Sequence, residues 1–174
     1  MSDPVTGTVR PILRWPDRRL RRPADPVGAV DDAVRAIWAD MIATMEAMPG
    51  HGVGLAAPQI GVMRRLAVVD AHETRGRALR LADPEIVSAS DETAPYTEAS
   101  PCLPGVSAEI TRPARLEVAF TDAEGCRVTE SFEGLWAVSV QHQIDHLAGR
   151  MYFDRLSRLK RERLLKKAQK EGRP

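Results

Sequence analysis

The chain has 174 residues, of which 43% are hydrophobic, and its formal net charge at pH 7 is +1. This length and composition suit one domain with its own core, and the near-neutral charge gives no reason to expect a DNA or membrane partner. Two cysteines are too few for a disulfide framework, and no apolar run is long enough for a signal peptide or a membrane span, so we expect one cytoplasmic domain over residues 1–174, with 1–9 flexible.

The first part of the chain predicts an arm followed by a helix. Residues 1–29 are rich in proline and arginine and predict an extended arm. A helix is predicted over 32–48, because Asp31 or Asp32 can cap it and apolar residues then recur at helical spacing on one face. A proline and three glycines within 49–54 predict that the helix ends in a flexible loop.

Short strands are predicted in the middle of the chain. Residues 66–70 form an apolar run, and 85–90 form another run after the turn-forming pair Asp83-Pro84. Residues 115–120 and 127–132 flank a turn sequence that ends in glycine, so they predict a hairpin.

Two further helices are predicted near the end of the chain. The first spans 135–148, and the second is a basic helix over 157–170 that continues into a tail ending at residue 174. Strands in the middle with helices at both ends predict the α+β class.

A pair of histidines on the 135–148 helix is the main candidate for chemistry. His142 and His146 are four residues apart and therefore share one helix face, as two ligands of a single zinc-type ion do. Such an ion needs a third protein ligand, for which the segment EASPCLPG at 98–105 offers candidates. The alternative is two partly buried histidines satisfied by hydrogen bonds, with Asp145 either on the surface or paired to a histidine N–H.

Three segments together resemble the motifs of peptide deformylases, commonly written GxGLAAxQ, EGCLS and QHExDHL. The corresponding segments here are GVGLAAPQ at 52–59, EASPCLPG at 98–105 and QHQIDHL at 141–147. The resemblance extends over residues 10–168. It implies a fold with antiparallel or mixed sheets around a central helix that carries HxxxH, with helices at both ends. It also implies hydrolytic removal of the formyl group from the N-terminal formyl-methionine of nascent chains, with a divalent iron, nickel or zinc ion.

The resemblance also implies roles for individual residues. His142 and His146 are implied as metal ligands, and Gln59 as the side-chain donor to the formyl oxygen. Gln143 occupies the position of the glutamate that moves protons in the family. The residues that would contact the peptide are Gly52, Val53, Gly54, Arg112, Leu135, Val138 and Ser139.

The second motif departs from the family pattern and allows two alignments. Without gaps, the metal-binding cysteine of the family falls on Ser100, and the next leucine falls on Pro101, which has no N–H to stabilise a developing negative charge. With compensating gaps, Cys102 and Leu103 keep the thiolate and the N–H, but the cysteine then lies about 6–7 Å further along an extended chain. The third ligand is therefore either Cys102 or the serine, and a serine hydroxyl is a poor ligand for a transition metal.

The third motif departs at Gln143, because an amide cannot act as a base. General acid–base catalysis contributes about 10²–10⁴ in rate, so we expect an impaired or altered deformylase. The alternatives are a non-catalytic binder of formyl-methionine peptides or nascent chains that holds no metal, a slow metallohydrolase that uses Cys102, and a protein that keeps only the fold. In the family the C-terminal basic helix can contact the ribosome, and the resemblance implies the same contact here. The alternative is that this helix only presents a basic face to solvent.

Overall fold

The structure is a computed structural model that describes residues 6–172. Two predicted segments extend beyond the described residues. They are the first five residues of the segment predicted to be flexible and the last two residues of the predicted tail. Within the remainder of the first nine residues, the Thr8 N–H donates to Asp40 Oδ1 at 2.7 Å, and Gly7 lies directly against the backbone of Ala39. The start of the described chain is therefore packed on the first helix.

Three α-helices form close to where the sequence predicts them: α1 (Asp32–Glu46), α2 (Gly134–Leu147) and α3 (Arg158–Glu171). The Asp31 side chain caps α1 by accepting the Val34 N–H at 2.9 Å, which confirms one of the two predicted caps. Short 3-10 helices lie at Arg18–Arg21, Ala57–Ile60 and Tyr152–Arg155. None of the helices within residues 6–172 is long and apolar enough to cross a membrane.

Within residues 6–172, seven strands form two antiparallel sheets. In chain order they are β1 (Gly54–Ala56), β2 (Leu66–Val69), β3 (Leu79–Ala89), β4 (Thr93–Glu98), β5 (Ala108–Pro113), β6 (Arg115–Thr121) and β7 (Arg127–Glu133). The larger sheet has the order β1-β2-β3-β6-β7, and the smaller sheet pairs β4 with β5. Helices and antiparallel sheets in one chain confirm the α+β class.

The sequence pattern predicted only some of the strands. The predicted β6–β7 hairpin is present, but β1, β4 and β5 were not predicted. Asp83 and Pro84 do not form a turn before a strand; they form an irregularity inside β3, where the register with β6 shifts. Asp83 has a φ of 48°, and its carboxylate accepts two backbone N–H groups of the arm, from Val27 and Gly28. A bulge explains how a proline without an N–H fits within a paired strand.

The described residues form three buried apolar clusters, one of which contains residues of α2. One fills the space between α2 and the larger sheet and includes Val118, Phe120 and Leu147. A second lies between α1 and strands β1 and β2, and a third joins the arm, the 102–110 segment and the C-terminal helices. Helix α2, which carries both histidines, packs against β1, β2, β6 and β7 of the larger sheet.

The N-terminal arm joins the three segments that carry the motifs. The Leu13 N–H donates to the Gln59 carbonyl, and the Trp15 N–H donates to the Cys102 carbonyl, each at 2.8 Å. Further along the arm, the Ala24 N–H donates to the Leu147 carbonyl at 2.9 Å. The arm is extended apart from the 3-10 turn at 18–21, and it is a structural part of the fold.

Gly149, directly after α2, provides a test of how tightly this end of the helix is packed. Its φ is 75°, and a Cβ there would lie 2.4 Å from the Arg21 carbonyl oxygen. We expect Gly149→Ala to lower the free energy of unfolding by about 3–5 kcal/mol, because backbone strain and a steric clash add. Gly125→Ala is the matched control: φ is 84° but nothing lies within 4 Å, so only strain of about 1–2 kcal/mol is expected. Equal losses in urea unfolding would contradict the packing described here.

Candidate active site

The two histidines of α2 face each other in the interior. His142 Nε2 lies 3.2 Å from His146 Nε2, and both residues are buried. Two nitrogens bound to one tetrahedral ion at about 2.0–2.1 Å lie roughly 3.3 Å apart, so the spacing of this pair suits two ligands of a single ion. Burial holds the pKa of His146 well below its ordinary value. His146 is therefore a neutral imidazole, the form that binds metals.

The orientation of His142 is fixed by Glu98 at the end of β4. His142 Nδ1 lies 2.8 Å from Glu98 Oε1. Since an ionised carboxylate can only accept, Nδ1 carries the proton and donates, which leaves Nε2 of a neutral ring with its lone pair directed at His146. The ring of Tyr152 stacks on the other side of His142, with the centroids 5.9 Å apart.

Glu98 is the first member of a buried network of alternating charge. Arg112 donates to both Glu98 oxygens at 2.7 and 2.9 Å and to Asp145 Oδ2 at 2.9 Å. Arg155 then donates to both oxygens of Asp145, each at 2.8 Å. Burial would raise the pKa of Glu98, but hydrogen bonds from Arg112 and His142 hold that pKa below its ordinary value. Burial also opposes ionisation of Asp145, yet Arg155 and Arg112 keep its pKa low.

This network differs from the sequence-based expectations. Asp145 is neither a surface residue nor the partner of a histidine N–H; its carboxylate lies between two arginines, and Glu98 binds the histidine. Arg112 is 1% exposed, and its guanidinium contacts both carboxylates. A direct contact between Arg112 and a bound peptide would require it to leave them.

The two candidate third ligands lie in different environments. Ser100 lines the same cavity as His142, whereas Cys102 is part of the apolar cluster that contains Leu20 and Phe153. Burial raises the pKa of the Cys102 thiol, although hydrogen bonds from Gln59 and Ser100 oppose the effect. Within residues 6–172, no three His, Cys, Asp or Glu side chains are grouped so as to hold a metal ion. This arrangement therefore offers an ion the nitrogens of two histidines, whereas a catalytic zinc-type centre needs three protein ligands.

Gln59 and Leu103 line the cavity, and some of their hydrogen-bonding groups already have partners within the protein. The Ala56 N–H donates to Gln59 Oε1 at 2.9 Å, and Gln59 Nε2 lies 3.5 Å from Cys102 Sγ. An amide nitrogen has two hydrogens, so Gln59 retains one N–H for a ligand. The Leu103 N–H, by contrast, donates to the Ser100 carbonyl at 3.0 Å within a turn. That N–H would have to leave the turn to stabilise a reacting oxygen.

The cavity beside the histidines has a volume of about 700 Å³. Its wall on α2 contains Leu135, Val138 and Ser139, and the facing wall is the 52–54 segment. Ser139 Oγ donates to the Val53 carbonyl at 3.1 Å and joins the two walls. A Cβ on Gly54 would lie 2.5 Å from Ser139 Oγ and 2.6 Å from Gln143 Nε2, so this approach requires glycine.

Arg75 holds the 51–54 segment from outside the cavity, and no sequence motif indicated it. Its guanidinium donates to the carbonyls of His51, Gly52 and Asp70 at 2.7 to 3.0 Å. The Asp70 N–H donates in turn to the Val53 carbonyl at 2.9 Å. The backbone of this wall is therefore held by groups that lie far from it in the sequence.

The structure brings most of the predicted site residues to one cavity. Those that line it are Gly52, Val53, Gly54, Gln59, Ser100, Leu103, Leu135, Val138, Ser139, His142 and Gln143. His146, Cys102 and Arg112 lie behind this lining. The roles predicted for all of these residues stay predictions.

The Glu98–Arg112–Asp145 network can be tested by removing its central charge. We expect Arg112→Gln to lower the free energy of unfolding at neutral pH by about 3–5 kcal/mol, because it leaves two buried carboxylates poorly compensated. Arg155→Gln is the control: its side chain is 39% exposed, so a clearly smaller loss is expected.

The pH dependence of this loss has a defined sign. The folded-state pKa values of Glu98 and Asp145 are lowered, so their stabilisation is present above the ordinary carboxyl pKa and is lost as pH falls through the folded values. The difference in stability between wild type and Arg112→Gln should therefore narrow on acidification, as measured by urea unfolding at several pH values. A difference that is constant with pH would show that charge is not the cause.

Comparison with known proteins agrees with this arrangement. The sequence model of the polypeptide deformylase family matches residues 9–162. A peptide deformylase-like protein of Bradyrhizobium diazoefficiens is 46% identical over 95% of this chain and 96% of its own length. A peptide deformylase of Phenylobacterium zucineum is 45% identical over 94% of this chain and 97% of its own.

Solved structures show the same fold. A peptide deformylase from Legionella pneumophila has a TM-score of 0.87 at 36% identity and covers 96% of this chain and all of that one. The peptide deformylase of Ehrlichia chaffeensis in complex with actinonin has a TM-score of 0.86 at 34% identity, over 96% of this chain and 99% of that one. The matches span nearly the whole chain in sequence and in structure, and we conclude that the chain belongs to the polypeptide deformylase family.

Proposed function

We propose that this protein binds N-terminal formyl-methionine peptides or nascent chains in the cavity beside α2 and hydrolyses them far more slowly than an intact deformylase. The family reaction is hydrolytic removal of the formyl group from such chains. The relatives include both proteins named peptide deformylase and proteins named peptide deformylase-like, at similar identity. Membership of the family therefore does not determine the rate of formyl hydrolysis, which depends on the residues of this chain.

Gln143 carries the proposal. It lines the cavity one residue after His142, at the position of the family glutamate, and its side chain is 4% exposed. An amide at this position can hold a water or a ligand atom by hydrogen bonds, but it cannot take a proton from water and pass it to a leaving amine. The step that the family assigns to this position has no proton carrier in this chain.

The groups needed for binding are still in place. The apolar wall of Val53, Leu135 and Val138 suits a methionine side chain. Gln59 has one N–H available for a formyl oxygen, and Ser139 holds the two walls at their present separation. These features support binding of the peptide.

Peptide deformylases are metalloenzymes, and in them a bound metal polarises water and the formyl carbonyl. In this chain His142 and His146 suit two ligands of an ion, but the third protein ligand is not in place. The proposed function therefore includes no step that depends on a metal. The runner-up is a slow metallohydrolase; it requires Cys102 Sγ to leave Gln59 and the apolar cluster and reach the imidazoles. Metal content and its identity as iron, nickel or zinc decide between the two.

The contact of α3 with the ribosome stays a prediction. Leu164 and Ala168 bury one side of this helix, and its exposed side carries the basic residues Arg158, Lys160, Arg163, Lys167 and Lys170. This surface supports an electrostatic contact with RNA phosphates, and it equally suits a solvated face.

Binding can be measured directly. We expect formyl-Met-Ala-Ser to bind the purified protein in isothermal titration calorimetry, with no rapid release of formate. Val138→Asp should weaken binding at least about tenfold, because it places a charge in the apolar wall. Val87→Asp is the control: Val87 is 59% exposed on β3, so affinity should not change. Rapid formate release by the unmodified protein would contradict the proposal.

Restoring the glutamate should not be sufficient for activity. We expect Gln143→Glu alone to leave formate release near background, because the second motif is also altered. Adding Ser100→Cys and Pro101→Leu should raise release by about 10²–10⁴ over that variant, since ligand and base are then both present. Metal content, measured by mass spectrometry, should rise in the triple variant. High activity from Gln143→Glu alone would show that the present loop is competent.

A further inference from the structure

A second pocket lies at the C-terminal end of α2 and has a volume of about 410 Å³. The charged residues that line it are Arg21, Arg150, Arg155, Arg161, Asp145 and Asp154. Four guanidinium groups and two carboxylates give this lining a net charge of +2. None of these six residues lines the cavity beside the histidines. The pocket is therefore a separate concave surface with an excess of positive charge.

Both carboxylates of this pocket already have arginine partners. Asp145 accepts two hydrogen bonds from Arg155, each at 2.8 Å, and one from Arg112 at 2.9 Å. Asp154 accepts hydrogen bonds from both terminal nitrogens of Arg21. A bidentate arginine–carboxylate pair is the strong form of this interaction, so neither aspartate needs a further cation.

The other two arginines of the pocket have no hydrogen-bond acceptor among residues 6–172. The guanidinium of Arg150 is exposed, and no acceptor in this part of the chain lies within hydrogen-bond or ion-pair distance of it. Arg161 Nη1 lies 3.7 Å from Asp154 Oδ1, which is too far for a hydrogen bond. Arginine stays protonated in proteins, so both groups present charged N–H donors to the pocket.

The two paired arginines are fixed in place before a ligand arrives. The guanidinium of Arg21 lies over the ring of Trp15, 4.6 Å from its centroid, in addition to its bonds to Asp154. Arg155 is held by both oxygens of Asp145. A guanidinium has five N–H donors, so each of these arginines retains donors for a second partner. Donors that are already positioned lose little conformational freedom when an anion binds, and such arginine forks suit the oxygens of a phosphate group.

We propose that this pocket binds a phosphate dianion, either inorganic phosphate or the terminal group of a small phosphomonoester. Arg150 and Arg161 donate to the phosphate oxygens, and Arg21 and Arg155 contribute their remaining N–H groups. The net charge of +2 matches a dianion, whereas a phosphodiester has a single negative charge. Binding here does not depend on the proposed binding of peptides, because the two sites share no lining residue.

Three probes that differ in charge test the site: inorganic phosphate, methyl phosphate and dimethyl phosphate. Each is titrated into the full-length protein by isothermal titration calorimetry at about pH 8, where the first two are dianions. The ionic strength is kept low and constant, since salt screens exposed charges. We expect saturable binding of the two dianions with one site per chain. Dimethyl phosphate should bind at least about tenfold more weakly, because it has one charge fewer and two fewer free oxygens.

Three variants locate the binding site. Arg150→Gln and Arg161→Gln should each weaken phosphate binding about tenfold, because each loses a charge-assisted hydrogen bond. Arg163→Gln is the matched control: it makes the same charge change on α3, but Arg163 is exposed and does not line the pocket. Its affinity should change less than about twofold, since a distant exposed charge is screened. Thermal unfolding without phosphate checks that each variant is folded.

Binding of both dianions that is weakened in the two pocket variants and kept in Arg163→Gln supports the site. Equal weakening in Arg163→Gln, or unchanged binding in Arg150→Gln and Arg161→Gln, overturns it, because phosphate would then respond only to the basic surface as a whole. Absence of saturable binding by wild type up to about 10 mM phosphate overturns it as well. Dimethyl phosphate that binds as tightly as methyl phosphate overturns the selectivity for a dianion and indicates a nucleic-acid backbone instead.

Discussion

The buried carboxylate of Glu98 is the interaction on which the site depends. It lies at the end of β4, fixes the ring of His142 on α2, and takes the guanidinium of Arg112 on β5. One charged group thereby joins the small sheet to the helix that carries the histidines. Removing a single partner from such a network would leave a buried charge, so the network is costly to disrupt and holds the imidazole of His142 in place through protein contacts. The arrangement persists even though Ser100 and Gln143 differ from the family pattern.

Peptide binding and hydrolysis depend on different residues of this cavity. The walls are set by backbone contacts, such as those of Arg75 to the 51–54 segment, and by the close packing of Gly54 on α2. The contacts of Arg75 do not involve the position of the proton carrier or the third metal ligand, and Gly54 packs against the Gln143 side chain through its amide nitrogen, which differs from a glutamate oxygen in chemistry but hardly in size. Changes at positions 100 to 102 and at 143 can therefore alter the reaction while the shape of the cavity is retained. Glutamine is nearly isosteric with glutamate, so its presence at position 143 changes the chemistry but not the shape of the cavity.

Sequence reasoning was sufficient for the helices and for most of the cavity lining, because helical periodicity and three short motifs are local signals. It missed β1, which has three residues, and β4 and β5, each of which contains a proline, and it read the Asp83-Pro84 bulge as a turn. The Glu98 network was also missed. Its members lie far apart in the sequence, and only the fold shows that Asp145 contacts arginines. The sequence allowed two alignments of the second motif, one without gaps and one with compensating gaps, and the structure places Ser100 at the cavity and Cys102 in an apolar cluster.

The contacts of the N-terminal arm have a consequence for how the molecule is made. The arm precedes all three motif segments in the chain, and its partners are the carbonyls of Gln59, Cys102 and, at the end of α2, Leu147. Contacts between residues so distant in the chain form late and slow the search for the native state. The contacts of the arm with all three motif segments can form only once the chain has been synthesised beyond residue 147. A truncated translation product would consequently expose separate motifs and no formed cleft.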